Sequence, residues 1–254
     1  GLAAPFTSFD DTEYILEHPA VVRPSWGTLA GTFSLSSTTS AIYQPLASWL
    51  FVLDYALWRD RPVPYHLVNL LLYQGLVALL YRWLCRVLGD RRQALWAAWL
   101  FALHPVHVGT VTHLVDRNYL LSSLLCLLVL RGCGPFWIGP VILFPLALLM
   151  RPSVASFPLL IFCHDLFIGR LPWRAAFKRA APLGVGSLLV VGVNLYAASL
   201  HNLLQPEPIG WAGAFCVFAR YGQLLCYPAG FRQLYPILER DFSYALPWAG
   251  LLLA

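Results

Sequence analysis

Apolar runs of helical length recur along almost the whole chain, and the short connectors between them hold most of its charge. A bilayer-crossing helix needs about 20 apolar residues, and the run from Tyr65 to Cys85 supplies one without a break. None of the runs alternates with the period of two that an outer-membrane strand requires, so helices rather than a barrel are expected to cross the membrane. Composition agrees: 59% of residues are hydrophobic and 11% charged, against about 25% charged in a soluble domain. A soluble globular domain is therefore excluded. The expected fold is all-α, a polytopic helical membrane bundle with interfacial helices, forming a single transmembrane domain over residues 1–254. The chain opens on GLAAPF and stops within LPWAGLLLA. Both read as cuts through membrane helices, so a preceding helix and further chain beyond residue 254 are expected.

Residues 7 to 43 form the longest polar stretch, an acidic loop with short helices followed by the run GTFSLSSTTS. The segment 45 to 58, PLASWLFVLDYALW, is apolar but too short to span and reads as an interfacial helix. Spans are expected from Tyr65 to Cys85, from Ala94 to an elbow at His104 and Pro105, and over 119–130, 136–149, 153–168 and 182–199. Residues 212 to 228 read as interfacial, and a last span starts near Tyr244. Two basic clusters, Arg82, Arg86, Arg91 and Arg92, then Arg170, Arg174, Lys178 and Arg179, fall on one side if each run crosses once. The excess of Lys and Arg marks that side as cytoplasmic. The acidic loop, the HPVH elbow, Arg151 and the 229 to 243 loop then share the opposite side, where they can line one cavity.

The net charge of +5 does not point to nucleic acid, because the basic residues are spread over connectors rather than gathered in a stripe. The six cysteines show no CxxC pair and read as packing residues.

Asp10 and Asp11 are adjacent carboxylates that can act as a general base or hold a divalent cation, with Asp11 the candidate metal ligand. The competing reading is a helix N-terminus, since Asp caps helices well. His66 and Asn69, three apart, share one face of a membrane helix. His104, His107, His113, Asp116 and Arg117 form the densest polar cluster at a membrane boundary, and ionisable groups there line polar cavities more than they face lipid. Their spacing is not that of an HExxH zinc site. Arg117 and Arg151 are candidates for gripping a phosphate, because the guanidinium is permanently charged and offers a planar fork of donors. The bland alternative is snorkelling to the interface.

The order FDDTEYI, YQPL, LDYALW, YHLVNLLL, LFALHPVHVGTV, LVDRNYLLSSL, MRPSVASFPLL and ARYGQLLCYPAG resembles the transmembrane region of the tetratricopeptide-repeat O-mannosyltransferases and their bacterial relatives, within the GT-C superfamily. The resemblance implies a multi-pass membrane enzyme, in a bacterial inner membrane, with its active face to the periplasm or exterior. It would move a sugar from a polyprenyl-phosphate donor to a hydroxyl of a protein or glycan acceptor. Acidic residues of the first outer loop, here Asp10 and Asp11, would be catalytic, with Mg or Mn as a possible cofactor. His66, Asn69, His104, His107, His113, Asp116, Arg117 and Arg151 would bind substrate. The chain departs from the family pattern at Gln44, where YRPL is common, and at Gly109, where HPVHVE is usual. It also departs at Asp116, Asn118 and Tyr119, where GRKD is usual, and at Tyr73, where His is frequent, while Arg151 replaces a common Lys. Gln44, Gly109 and Tyr119 favour the alternative, a non-catalytic GT-C-like subunit of a larger membrane assembly, while the Asp10 and Asp11 pair with Arg117 and Arg151 favours the transferase. A transporter is disfavoured, since no paired charges sit in opposed half-helices.

Overall fold

A computed structural model describes residues 6, 10–34, 42–132, 139–200 and 211–226. Among them there are helices and no strand. A π-helical turn, Thr12–Leu16, leads into the short helices α1 (Pro19–Val22) and α2 (Trp26–Gly31), so the acidic loop does contain short helices. Ser25 starts α2 by accepting the Thr28 N–H at 3.1 Å, while the Thr28 hydroxyl accepts from the Ser25 N–H at 2.8 Å. That reciprocal pair is a capping box.

The apolar segment after Gln44 is helix α3 (Pro45–Trp58), opened by a proline at its first position, where no backbone N–H is needed. It ends at Arg59, whose φ of 50° lies in the left-handed region, and the Tyr65 hydroxyl fastens that turn by donating to the Arg59 carbonyl at 2.9 Å. Helix α4 (Pro62–Leu88) also opens on proline and stops at Gly89, whose φ of 69° glycine adopts without a Cβ penalty. Asp90 at once starts α5 (Arg91–Leu103), its Oδ1 accepting the Arg92 N–H at 2.7 Å. Then come α6 (His107–Thr112) and α7 (Arg117–Arg131). Past Gly132, a π-helical turn (Gly139–Leu143) precedes α8 (Phe144–Met150), and a 3-10 turn (Pro152–Ser156) leads into α9 (Phe157–Phe167). Helix α10 (Trp173–Leu200) starts nine residues before the span expected from Ala181's neighbour Pro182, which it carries within it, and α11 (Trp211–Cys226) is the last described element.

Two helices, α4 with 27 residues and α10 with 28, are long and apolar enough to cross a membrane. Their sides remain exposed: Leu71, Leu188 and Leu189 are more than half accessible, the disposition of a lipid-facing rather than a water-facing surface.

The chain forms two compact units. The first runs to Ala102 and resumes from Thr110 to Leu204. Within it α4 packs on α7, α7 on α8, and α9 on α10. One apolar core gathers Cys126, Phe144, Ala147, Leu148, Ile161 and Leu183 from α7 to α10. A second gathers Ile15, Val21, Phe51, Tyr65 and Leu114 beneath the acidic segment.

This unit has two polar ends. At one, the Arg86 guanidinium donates to the Arg131 carbonyl at 3.4 Å, Trp83 lies 5.9 Å from His164 between ring centroids, and Arg179 donates to Asp165 at 2.8 Å. Both basic clusters therefore belong to one end. Asn69, one wall of the other end, lies about 25 Å along α4 from Arg86 at 1.5 Å per residue. Asp11, Arg117 and Arg151 gather there with Asn69 through the hydrogen bonds described below. The basic clusters and the acidic segment, expected on opposite sides from the parity of the spans, thus lie at opposite ends of this unit.

The second unit holds Leu103–Gly109 and, among the described residues, α11. Within it His104 Nε2 lies 3.0 Å from the Leu225 carbonyl, and the His104 and His107 rings meet edge to face at 6.2 Å.

Candidate functional site

The site at the acidic end rests on a buried knot. Asp54 is the only charged residue in α3, and its carboxylate pairs with Arg117 at the start of α7. Both are buried, at 7% and 2% exposure. The remaining donors of Arg117 are also taken: Nε donates to Asn69 Oδ1 at 2.7 Å and an NH2 group to the Tyr65 carbonyl at 2.8 Å. A charge buried away from water persists only when paired and hydrogen-bonded, and Arg117 meets both conditions. Asn69 completes the knot by donating to the His113 carbonyl at 3.0 Å. Its three-residue neighbour His66 is also buried on α4.

This arrangement corrects the expectation that Arg117 grips a phosphate. All three of its nitrogens are committed to the fold, and its role is to hold the connector 111–117 against α4 and α3. Asp54, which sequence reasoning passed over inside an apolar helix, is the partner that makes this possible. The signal was present, since a lone carboxylate in a 14-residue apolar helix needs a buried cation.

On this base stands the acidic group. Asp11 is 1% exposed, and its Oδ1 accepts the Val115 N–H at 3.2 Å, which ties the first segment to the connector. Asp11 precedes the π-helical turn with no side-chain cap bond, so the capping explanation for this carboxylate does not apply. Asp10 is half-buried beside it. Asp116 projects from the start of α7 with its side chain 31% exposed, 3.9 Å from His113 Nδ1. Burial pushes the Asp116 carboxyl above the usual carboxylate range; His113 and Arg151 pull it back, and Asp10 and Asp11 push it further up. That field joins the acidic loop, the DRNY turn and the MRPS turn in one electrostatic group.

Arg151, between α8 and the 3-10 turn, is the cation of the group. Its NH1 donates to Gln44 Oε1 at 3.2 Å, and its NH2 donates to the Tyr119 hydroxyl while the guanidinium lies 4.0 Å above the Tyr119 ring. Gln44 also accepts from Asn118 at 3.1 Å. Gln44, Asn118, Tyr119 and Arg151, read from sequence as scattered departures from a family pattern, therefore form one interlocked cluster. All the partners of Arg151 are neutral. Among the described residues Arg117 and Arg179 have carboxylates in contact, whereas Arg151 has none.

Arg151 lines a groove of about 370 Å³ with Ser153 and Asn194 as its other polar groups and Val191, Leu195 and Ala198 of α10 as an apolar wall. Gln44 lines a second cavity, of about 250 Å³, with Tyr14, His18, Thr28 and Thr32. Ile42 borders both, and the Gln44–Arg151 hydrogen bond stands between them. In the second unit, burial and the neighbouring His104 lower the His107 pKa.

Asp11 spends an oxygen on a backbone N–H, and among the described residues no three His, Cys, Asp or Glu side chains converge as a metal site. The chemistry available is that of carboxylates beside a guanidinium, at one end of an all-α bundle with membrane-length helices.

That class of protein matches what sequence comparison finds. The chain is similar to protein O-mannosyl-transferases. It is 34% identical to protein O-mannosyl-transferase TMTC3 of Mus musculus over 125 residues, 45% of this chain. It is 36% identical to TMTC2 of Mus musculus over 107 residues, 40% of this chain, and 34% identical to TMTC1 of Homo sapiens over 129 residues, 47% of this chain. The matched segments span 13%, 12% and 14% of those relatives. The resemblance read from the order of motifs is thereby found again, in animal proteins. No family model matches the chain. No solved structure matches it either.

Proposed function

We propose that the chain is a multi-pass membrane glycosyltransferase that moves a sugar from a polyprenyl-phosphate donor to a hydroxyl group on the non-cytoplasmic side. The observation that carries this reading is the Arg151 guanidinium, hydrogen-bonded only to the neutral Gln44 and Tyr119, at the head of a groove with an apolar helical wall. A lipid phosphate fits that combination, since its anion meets the guanidinium while its hydrocarbon lies along α10. The neutral bonds to Gln44 and Tyr119 would be exchanged for charge-assisted ones, roughly twice as strong. As the sugar leaves the phosphate, Arg151 stabilises the negative charge that develops on the leaving group. The basic clusters at the far end orient that end to the cytoplasm, which sets the acidic group outside. The names of the relatives favour mannose as the sugar and protein as the acceptor.

A second reading, a structural subunit of a membrane assembly, is favoured by one observation: the Arg151 fork is occupied by Gln44 and Tyr119. Transfer by purified protein from polyprenyl-phosphate mannose and other hexose donors separates the two. Under the proposal wild type transfers, and Arg151→Gln loses donor affinity by about tenfold or more while its melting temperature stays close to that of wild type. Absence of transfer by wild type from every hexose donor supports the subunit reading.

A further inference from the structure

Two cavities share Ile42 as a border, and their other walls differ. The groove at Arg151 offers a cation and an apolar helix. The cavity lined by Gln44, about 250 Å³ in volume, has no lysine, arginine or carboxylate among its lining residues. Its polar groups are hydroxyls, one amide and one imidazole, a set that suits a neutral ligand rich in hydroxyl groups rather than an anion. Not all of them are available. Thr28 is committed to the capping box with Ser25, and Thr32 donates to the Leu29 carbonyl at 2.7 Å while accepting from the Trp49 indole at 3.1 Å. Among the described residues no hydrogen bond takes the Tyr14 hydroxyl, the Ser48 hydroxyl or the His18 ring, and His18 Nδ1 is sealed from solvent without a partner. A buried nitrogen left in that state is rare, and the ring can turn to a ligand without breaking an existing bond. Burial lowers the His18 pKa, against the opposing pull of Glu13, so the neutral ring offers one donor and one acceptor.

We infer that this cavity holds the sugar ring of the donor, with Tyr14, His18, Gln44 and Ser48 as the residues that hydrogen-bond it. The inference rests on the glycosyltransferase reading above. A sugar joined to a phosphate at Arg151 must lie beside that guanidinium, and the cavity begins there. Ile42 borders both spaces, and Gln44 lines the cavity while its Oε1 accepts from Arg151 at 3.2 Å. When the phosphate takes Arg151, Gln44 Oε1 loses that donor and is free to accept from a sugar hydroxyl. Binding of the phosphate and of the ring is thereby coupled at one amide. The volume favours the ring over a peptide acceptor: about 250 Å³ is below the roughly 300–1,000 Å³ of pockets for drug-sized ligands, room for one ring but not for a peptide segment.

The test uses the full chain in lipid nanodiscs, with polyprenyl-phosphate mannose, its glucose counterpart, sugar-free polyprenyl phosphate and a Ser/Thr-containing peptide. His18→Ala is expected to raise the KM for polyprenyl-phosphate mannose by about five- to tenfold, the effect of losing one hydrogen bond, and to lower the preference between the two hexoses by a similar factor. Its affinity for sugar-free polyprenyl phosphate is expected to stay within about twofold of wild type, since that ligand has no ring, and this binding also shows that the variant is folded. Tyr14→Phe removes a hydroxyl and keeps the packing of the ring. It is expected to act in the same direction, and it decides the outcome if His18→Ala does not fold. A KM and a hexose preference within about twofold of wild type in both variants overturn the inference and leave the transferase reading intact. So does a rise confined to the KM for the peptide. Absence of transfer by wild type from every hexose donor overturns both.

Discussion

Arg117 and Asp54 are joined by a buried ion pair that links the first turn of α7 to the second half of α3. Every functional side chain at this end is positioned from that pair. Through Asn69 it fixes the carbonyl of His113, through the connector it fixes Val115 and hence Asp11, and through α7 it sets Tyr119.

Removing one partner leaves the other charge buried and alone. Asp54→Ala is expected to cost about 3–5 kcal/mol, whereas Asp54→Ala combined with Arg117→Met recovers much of that loss, because no unpaired charge remains. Denaturation of detergent-solubilised protein in a double-mutant cycle measures the coupling. A pair worth less than about 1 kcal/mol would make it no anchor.

Gln44→Arg gives a second check, and here the structure changes the expectation. From sequence, Gln44 is a lost cation at a phosphate site, so restoring Arg should help. In the fold, Gln44 Oε1 accepts from Arg151 and Asn118. An arginine there replaces the shared acceptor with donors and sets two guanidinium groups together. The ligand-free variant is expected to lose about 1–3 kcal/mol of stability. Addition of polyprenyl phosphate should return most of it, since an anion between two cations removes the repulsion. Thermal melting with and without the lipid reads both effects.

The sequence made the class of fold legible because the bilayer imposes a length and a composition on every crossing. The helix start at Pro45 was legible for the same kind of local reason, whereas α4 opens at Pro62 and ends at Leu88, three residues beyond each end of the span expected from Tyr65 to Cys85. The roles within the site were less so. Arg117 and Arg151 look equivalent in sequence, and what separates them is Asp54, 63 positions before Arg117, which only the packing of α3 against the start of α4 and α7 brings into contact. Likewise Gln44 and Tyr119 read as two separate losses until the fold sets both on one guanidinium. The span near Tyr244 and the residues Cys133 and Gln205 to Gly210 lie outside the described residues.

Gly169 tests the opposite, basic end. A Cβ there would stand 2.9 Å from the Asp165 carbonyl oxygen and 3.2 Å from the Asp165 Cα, both backbone atoms that cannot rotate away. Gly169→Ala must therefore shift the turn between α9 and α10 and loosen the Asp165–Arg179 pair, at a cost of about 1–3 kcal/mol. Gly192 in α10 has open space at the same position. Gly192→Ala is expected to gain about 0.5–1 kcal/mol from helix propensity alone. Equal melting temperatures for the two variants would contradict this reading of the turn.

Asp116 gives a pH-dependent stability of unusual sign. Its carboxyl is held above the ordinary carboxylate range, by burial first and by Asp10 and Asp11 after it, against His113 and Arg151. The folded chain therefore binds this proton at pH values where the unfolded chain has released it, so stability falls as pH rises from the ordinary carboxylate value through the folded one. Asp116→Asn resembles the protonated form and caps a helix as well as Asp does. It is expected to melt higher than wild type at pH 7, with the difference shrinking on acidification and vanishing below about pH 4, where both states of the wild type hold the proton. A carboxylate kept for structure would give the reverse, a variant that is weaker at neutral pH. Melting curves of the two proteins from pH 4 to pH 8 decide the sign.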